Sequence, residues 1–127
     1  MNKTKPQAKK NKRASHRAVV VKSITCRLLR PPGIGEVFRA NLVNVGGAGA
    51  QICTNQTLEN HLRVGLELDS LDGARRLIYE GQVVWIRKNP LKSMGRFAVG
   101  VQFDRLTAAQ SRFLEENYSL GFASPQL

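Results

Sequence analysis

The 127-residue chain, 14.1 kDa with 42% hydrophobic residues, is the size of one domain with a modest core and is too apolar to be disordered throughout. No apolar run approaches the roughly 18 to 20 residues of a membrane-spanning helix, and the N-terminal MNKTKPQAKKNKRASHR lacks the apolar segment of a secretory signal, so a cytoplasmic protein is expected. The net charge of +11 is unevenly placed: residues 1–30 hold ten Lys or Arg and no acid, whereas residues 31–127 hold ten bases against nine acids. An anionic partner is expected at the basic end.

In chain order, residues 1–12 contain Pro6 and almost nothing apolar, which predicts a flexible basic arm. A β-branched stretch from Ala18 to Leu29 follows and predicts a long first strand that stops at Pro31-Pro32-Gly33. A second strand is expected over Glu36–Val43, broken by the glycine-rich NVGGAG of residues 44–49, and a third begins at Ala50–Cys53. Arg63–Asp69 predicts a fourth, ended by the Asp72-Gly73 turn signal, and Arg76–Lys88 with Arg96–Phe103 predicts a hairpin joined by NPLKSMG. In its second arm Phe97, Val99, Val101 and Phe103 alternate with Ala98, Gly100 and Gln102, the period of a half-buried strand.

Beyond Asp104 the period changes. Thr107 and Gln110 have the spacing of a capping box, and Leu106, Phe113, Leu114 and Tyr118 form a helical stripe, predicting a C-terminal helix of about three turns that ends before Gly121. Six strands and one terminal helix without βαβ alternation imply an all-β fold with a C-terminal helix, a small antiparallel barrel whose closure hides its edges. The expected organisation is an arm over 1–12, the barrel and helix over 13–120, and a short tail over 121–127.

Few residues suit catalysis. Cys26 and Cys53 lie in apolar strand-like segments without CxxC or Cys/His spacing, so buried free thiols are expected, and no metal site. His16 and His61 are the only histidines, and no GxSxG, HExxH or P-loop pattern occurs, so an enzyme is not expected. Trp85, at the centre of a strand, is expected in the core. Glu67, Asp69 and Asp72 are expected to be solvated acids, and Arg75 and Arg76 surface charges flanking a turn.

Two features suit an anionic ligand. RASHR places Arg13 and Arg17 four apart where the arm meets the first strand, and each guanidinium offers a planar fork of donors matched to phosphate oxygens or the acceptor edge of guanine. NVGGAG spends three of six positions on glycine, which suits either a tight turn or the close approach of a ligand to backbone, and Asn44 can read a base edge. Each alone has an ordinary structural explanation, a solvated arm or a barrel corner. Together, in this order, they favour a binding site.

The arm, the RxxxR, 26 intervening residues, Asn-x-Gly-x-x-Gly, the strand pattern and the terminal helix together resemble the PilZ domain family over about residues 12–120. The resemblance implies a six-stranded antiparallel β-barrel and a non-catalytic receptor for the bacterial second messenger cyclic dimeric GMP (c-di-GMP), with roles in motility or biofilm regulation and a downstream protein partner. It implies that Arg13 and Arg17 grip phosphate and guanine, that Asn44 contacts a guanine, and that Gly46, Gly47 and Gly49 admit the ligand to the backbone, with Lys12 and His16 as secondary contacts. The family pattern has serine where this chain has Gly46, which removes a hydroxyl donor and leaves the Gly46 backbone N–H as the donor expected there. Two alternatives follow: a degenerate PilZ-like adaptor without ligand, and a basic small barrel that binds nucleic acid through its N-terminal charge. The low aromatic content, 6%, argues against base-stacking nucleic-acid recognition.

Overall fold

A strand with one apolar face is stable only when that face is covered, and here six strands cover one another by closing into a ring. The computed structural model describes residues 18–29 and 35–118, so the expected arm, 1–12, and tail, 121–127, lie outside the described residues. The strands are β1 (Ala18–Leu28), β2 (Val37–Val45), β3 (Gly49–Thr54), β4 (Arg63–Asp69), β5 (Arg76–Lys88) and β6 (Phe97–Phe103), followed by helix α1 (Ala108–Tyr118). They form a closed barrel in the order β1-β2-β3-β6-β5-β4, with every neighbouring pair antiparallel. The predicted all-β fold with its terminal helix is the observed one. The second strand runs two residues further than expected, so Asn44 and Val45 belong to it, and the third starts at Gly49.

Closure falls to β1, which pairs with β2 along one edge and with β4 along the other, from Thr25–Glu67 to Leu28–Val64. Inside the ring, alternating residues from every strand meet: Ile24, Leu42, Ile52, Leu66, Val83 and Val99 are all buried. Tyr79 and Phe113 join β5 to the helix with ring centroids 6.3 Å apart. Thr107 and Gln110 form the reciprocal capping box, with Thr107 N–H donating to Gln110 Oε1 at 2.9 Å and Gln110 N–H donating to Thr107 Oγ1 at 3.0 Å. The same glutamine donates from Nε2 to the Ile78 carbonyl at 3.0 Å, while Tyr79 and Tyr118 hydroxyls donate to the carbonyls of Gln110 (2.7 Å) and Asp69 (3.0 Å). The helix is therefore capped and fastened to the sheet by the same few side chains. Burial pushes the Tyr118 hydroxyl up to about 12.

On the outside of the barrel, Glu67 corrects the sequence reading. It is 5% exposed rather than solvated, because Arg27 (Nε–Oε2, 2.5 Å) and Arg76 (Nη1–Oε1, 3.1 Å) close over it, and Arg76 also bonds Asp69 at 2.8 Å. Arg27 thus ties β1 to β4 across the closing seam, and Arg76 ties β5 to β4 rather than simply flanking a turn. Cys26 and Cys53 are both buried and unpaired, and burial pushes the Cys26 thiol up to about 12. Among the described residues no helix is long and apolar enough to cross a membrane, and no group of three or more His, Cys, Asp or Glu could hold a metal.

After β6, Asp104 accepts two bonds from Arg63, Nη1–Oδ1 at 2.8 Å and Nη2–Oδ2 at 2.5 Å. This fork holds the Asp104 carboxyl below its usual 3.8. A carboxyl depressed in the folded state contributes stability that is fully present above its unfolded value and is lost as pH falls through the lower folded one. Carboxyl NMR titration is expected to show Asp104 titrating below 3.8 and Arg63→Gln returning it toward that value. An unshifted Asp104 in the parent protein would count against the fork.

Candidate functional site

The NVGGAG segment is a tight hairpin between β2 and β3. Val45 pairs with Ala50, and Gly46 N–H donates to the Gly49 carbonyl at 2.8 Å, leaving Gly47 and Ala48 as the exposed turn. The Ala48 carbonyl accepts from Phe103 N–H at 2.9 Å, which seats the turn against the end of β6. Asn44, Gly46, Gly47 and Gly49 are thus brought together at one end of the barrel. Lys12, Arg13, His16 and Arg17 lie outside the described residues.

The glycines have separate reasons. None of Gly46, Gly47 and Gly49 has a positive φ, so turn conformation does not demand them. A Cβ on Gly49 would stand 2.1 Å from the Val101 carbonyl oxygen, so Gly49 is required by the close approach of β3 to β6. A Cβ on Gly47 would meet nothing within 4 Å, so this position is open to solvent and to any ligand. Gly46 spends its N–H inside the turn, so that donor cannot substitute for the missing serine hydroxyl.

Two β-bulges decide which side chains reach the outer face. In β2 the pairing shifts between Leu42 and Asn44, and in β5 between Val83 and Trp85, so one extra residue, Val43 or Val84, interrupts each alternation. Strict alternation from the buried Leu42 and Val83 would turn Asn44 and Trp85 inward; the bulges turn them out. Trp85, expected in the core, instead packs on the outside over Gly100, where a Cβ would stand 2.1 Å from its indole nitrogen. Continuous cross-strand pairing then sets Asn44, Gln51, Gly100 and Trp85 in one row across β2, β3, β6 and β5. Asn44 Nδ2 donates to Gln51 Oε1 at 3.1 Å within this row. At its other end Arg87 lies over the Trp85 ring, 4.7 Å from the centroid.

Beside the row is an open depression of about 300 Å³ lined by Ala48, Ala50, Val84, Trp85, Gly100 and Gln102. It joins the glycine turn to the tryptophan and offers an aromatic wall, an amide and bare backbone. Such a surface can hold a planar heterocycle, with hydrogen bonds supplied from its polar end. Sequence reasoning missed Trp85 because the bulge is silent in the alternation pattern. The available signal was Gly100, a strand position without a side chain that a neighbouring aromatic can cover.

Comparison with known families decides the relationship. The PilZ domain model matches residues 11–118. The chain belongs to the PilZ domain family. Among solved structures this PilZ chain is similar to PlzA of Borreliella burgdorferi in complex with c-di-GMP (TM-score 0.57, 11% identity, 85% of this chain and 41% of that one). It is similar also to the inhibitor of motility MotI/DgrA of Bacillus subtilis (0.59, 16%, 85% and 50%) and to the PilZ domain of Escherichia coli YcgR with c-di-GMP (0.58, 14%, 87% and 92%). The chain spans about half or less of the PlzA and MotI chains. A comparison with curated proteins gives no match.

The two accessible glycine substitutions separate packing from access. Gly49→Ala is expected to destabilise by about 1–3 kcal/mol through the clash with β6, and Gly47→Ala to stay within about 0.5 kcal/mol. Both are read by thermal or denaturant unfolding, and equal losses in the two variants would contradict this division.

Proposed function

We propose that this PilZ chain is a non-catalytic receptor for c-di-GMP that signals to a protein partner. The observation that carries the reading is a register. Ala18, which follows Arg17 in sequence, pairs with Val45, and Val19 pairs with Asn44, so β1 begins directly beside the glycine hairpin. The arginine forks then serve phosphate and guanine, Asn44 serves a base edge, and Trp85 provides a face on which a base can stack beside the depression. Ordering of the arm around the nucleotide would create a composite surface for the partner. Similarity to two PilZ structures solved with this nucleotide supports the ligand class.

Gly46 favours a weakened site. It lacks the family's hydroxyl, and its N–H is already used in the turn. One lost donor is worth about 1 kcal/mol if neutral and about 1.5–3 if it meets phosphate, or roughly one to two decades in affinity. If that loss were complete, the chain would act as a ligand-free adaptor.

Titration calorimetry with c-di-GMP at low salt is expected to give saturable binding that Arg13→Ala and Arg17→Ala each weaken at least about tenfold, the cost of a charged hydrogen bond. Gly46→Ser is expected to tighten it by about one to two decades. No heat with ligand on the order of tens of micromolar in both the parent and Gly46→Ser, or full affinity in both arginine variants, would overturn the receptor reading and leave the adaptor.

A further inference from the structure

The loop joining β5 and β6 is more than a connection. Between Arg87 and Arg96 the sequence reads RKNPLKSMGR, with four cations and no carboxylate, and the described ion pairs leave all four out. No acid occurs anywhere from residue 81 to 103. At its tip Leu91 is 65% exposed.

This loop is rigidly held. Asn89 Nδ2 donates to the carbonyls of Leu91 and Gly95, both at 2.9 Å, and lies 3.4 Å from Cys53 Sγ. Asn41 Nδ2 reaches the Met94 carbonyl at 2.8 Å, and Asn55 Oδ1 accepts from Arg96 N–H at 2.9 Å. Gly95, at φ 130, brings the loop so close to β3 that a Cβ would stand 2.5 Å from Thr54 N. Two of the cations are also steered, Arg87 over Trp85 (4.7 Å) and Arg96 over Phe97 (5.6 Å). Side chains held in this way lose little freedom when a partner docks.

We propose that this hairpin tip is a docking surface for an acidic protein segment, one that presents carboxylates around an apolar recess for Leu91. An apolar centre within a charged rim is the anatomy of a protein interface. Nucleic acid would engage the cations and leave Leu91 in water, and a single leucine is a slight wedge for a bilayer. Residues 1–35 and 117–127 contain no acid, so these segments offer the cations no side-chain carboxylate. Arg87 alone adjoins the nucleotide row; the tip at Leu91 with Lys88 and Lys92 stands apart from it and works with or without c-di-GMP. Its small extent implies a weak, transient contact that an additional interface on the partner would reinforce.

The test uses the full ¹⁵N-labelled chain and a synthetic amphipathic helical peptide whose leucine face is flanked by glutamates. Its glutamine-for-glutamate counterpart, a short DNA duplex and phosphatidylglycerol vesicles are titrated in parallel. Amides of residues 88–96 are expected to shift with the acidic peptide alone, equally with and without c-di-GMP. The shifts weaken at least about threefold as salt rises from roughly 50 to 300 mM. They are expected to vanish in a Lys88→Glu/Lys92→Glu variant and, separately, in Leu91→Ser, while the remaining spectrum stays folded and unchanged. Shifts confined to residues 1–17, or undiminished in either variant, would overturn the proposal. So would a hairpin response to DNA or vesicles that equals the response to the peptide. Because the readout is independent of c-di-GMP, its failure leaves the receptor reading untouched.

Discussion

Closure through β1 is the constraint from which the other features follow. This strand must satisfy β2 on one side and β4 on the other, and a ring of only six strands achieves this with strong coiling and close backbone approach. Glycine at positions 49 and 81 admits that approach, since a Cβ at either would lie about 2 Å from a carbonyl oxygen of β6. The bulges in β1, β2 and β5 take up the associated mismatch in register. On the outer face, Glu67 beneath its two arginines ties β4 to β1 and to β5 electrostatically. Backbone geometry thus sets both the shape of the barrel and the surface available for binding.

Much of this was legible in the sequence because the signals were local. Alternation in Phe97–Phe103 marks a strand, the Thr107–Gln110 spacing marks a helix start, and the missing βαβ pattern marks the class. What could not be read depends on pairs far apart in the chain. Trp85 reads as core until the extra residue before it is counted against β6. Glu67 reads as solvated until Arg27, forty residues earlier, is placed over it. The Gly46 N–H reads as a donor until the turn that consumes it is known.

The glycine hairpin shows how structural and functional demands share one motif. Gly49 is needed by packing and would be needed whether or not a ligand binds, whereas Gly47 is spatially permissive and faces solvent. A motif match at the first says mainly that the fold is right. Asn44 carries more information, because a polar residue is placed on the outer row by a bulge and bonded to Gln51 there.

The bulges make the outer row a matter of residue number as much as residue type. If Val84 were paired instead of bulged, it would take the outer place opposite Gly100 and Trp85 would be carried to the inward position that Ile86 now fills opposite Val99. A one-residue slip of this pairing would therefore exchange the outward-facing and core-facing chemistry of the strand end while leaving its composition intact. By contrast, a point substitution can alter one member of the row without moving the others. The outer row is in this sense a frame as well as a set of groups, set by the bulged residue and readable only once the strands are paired.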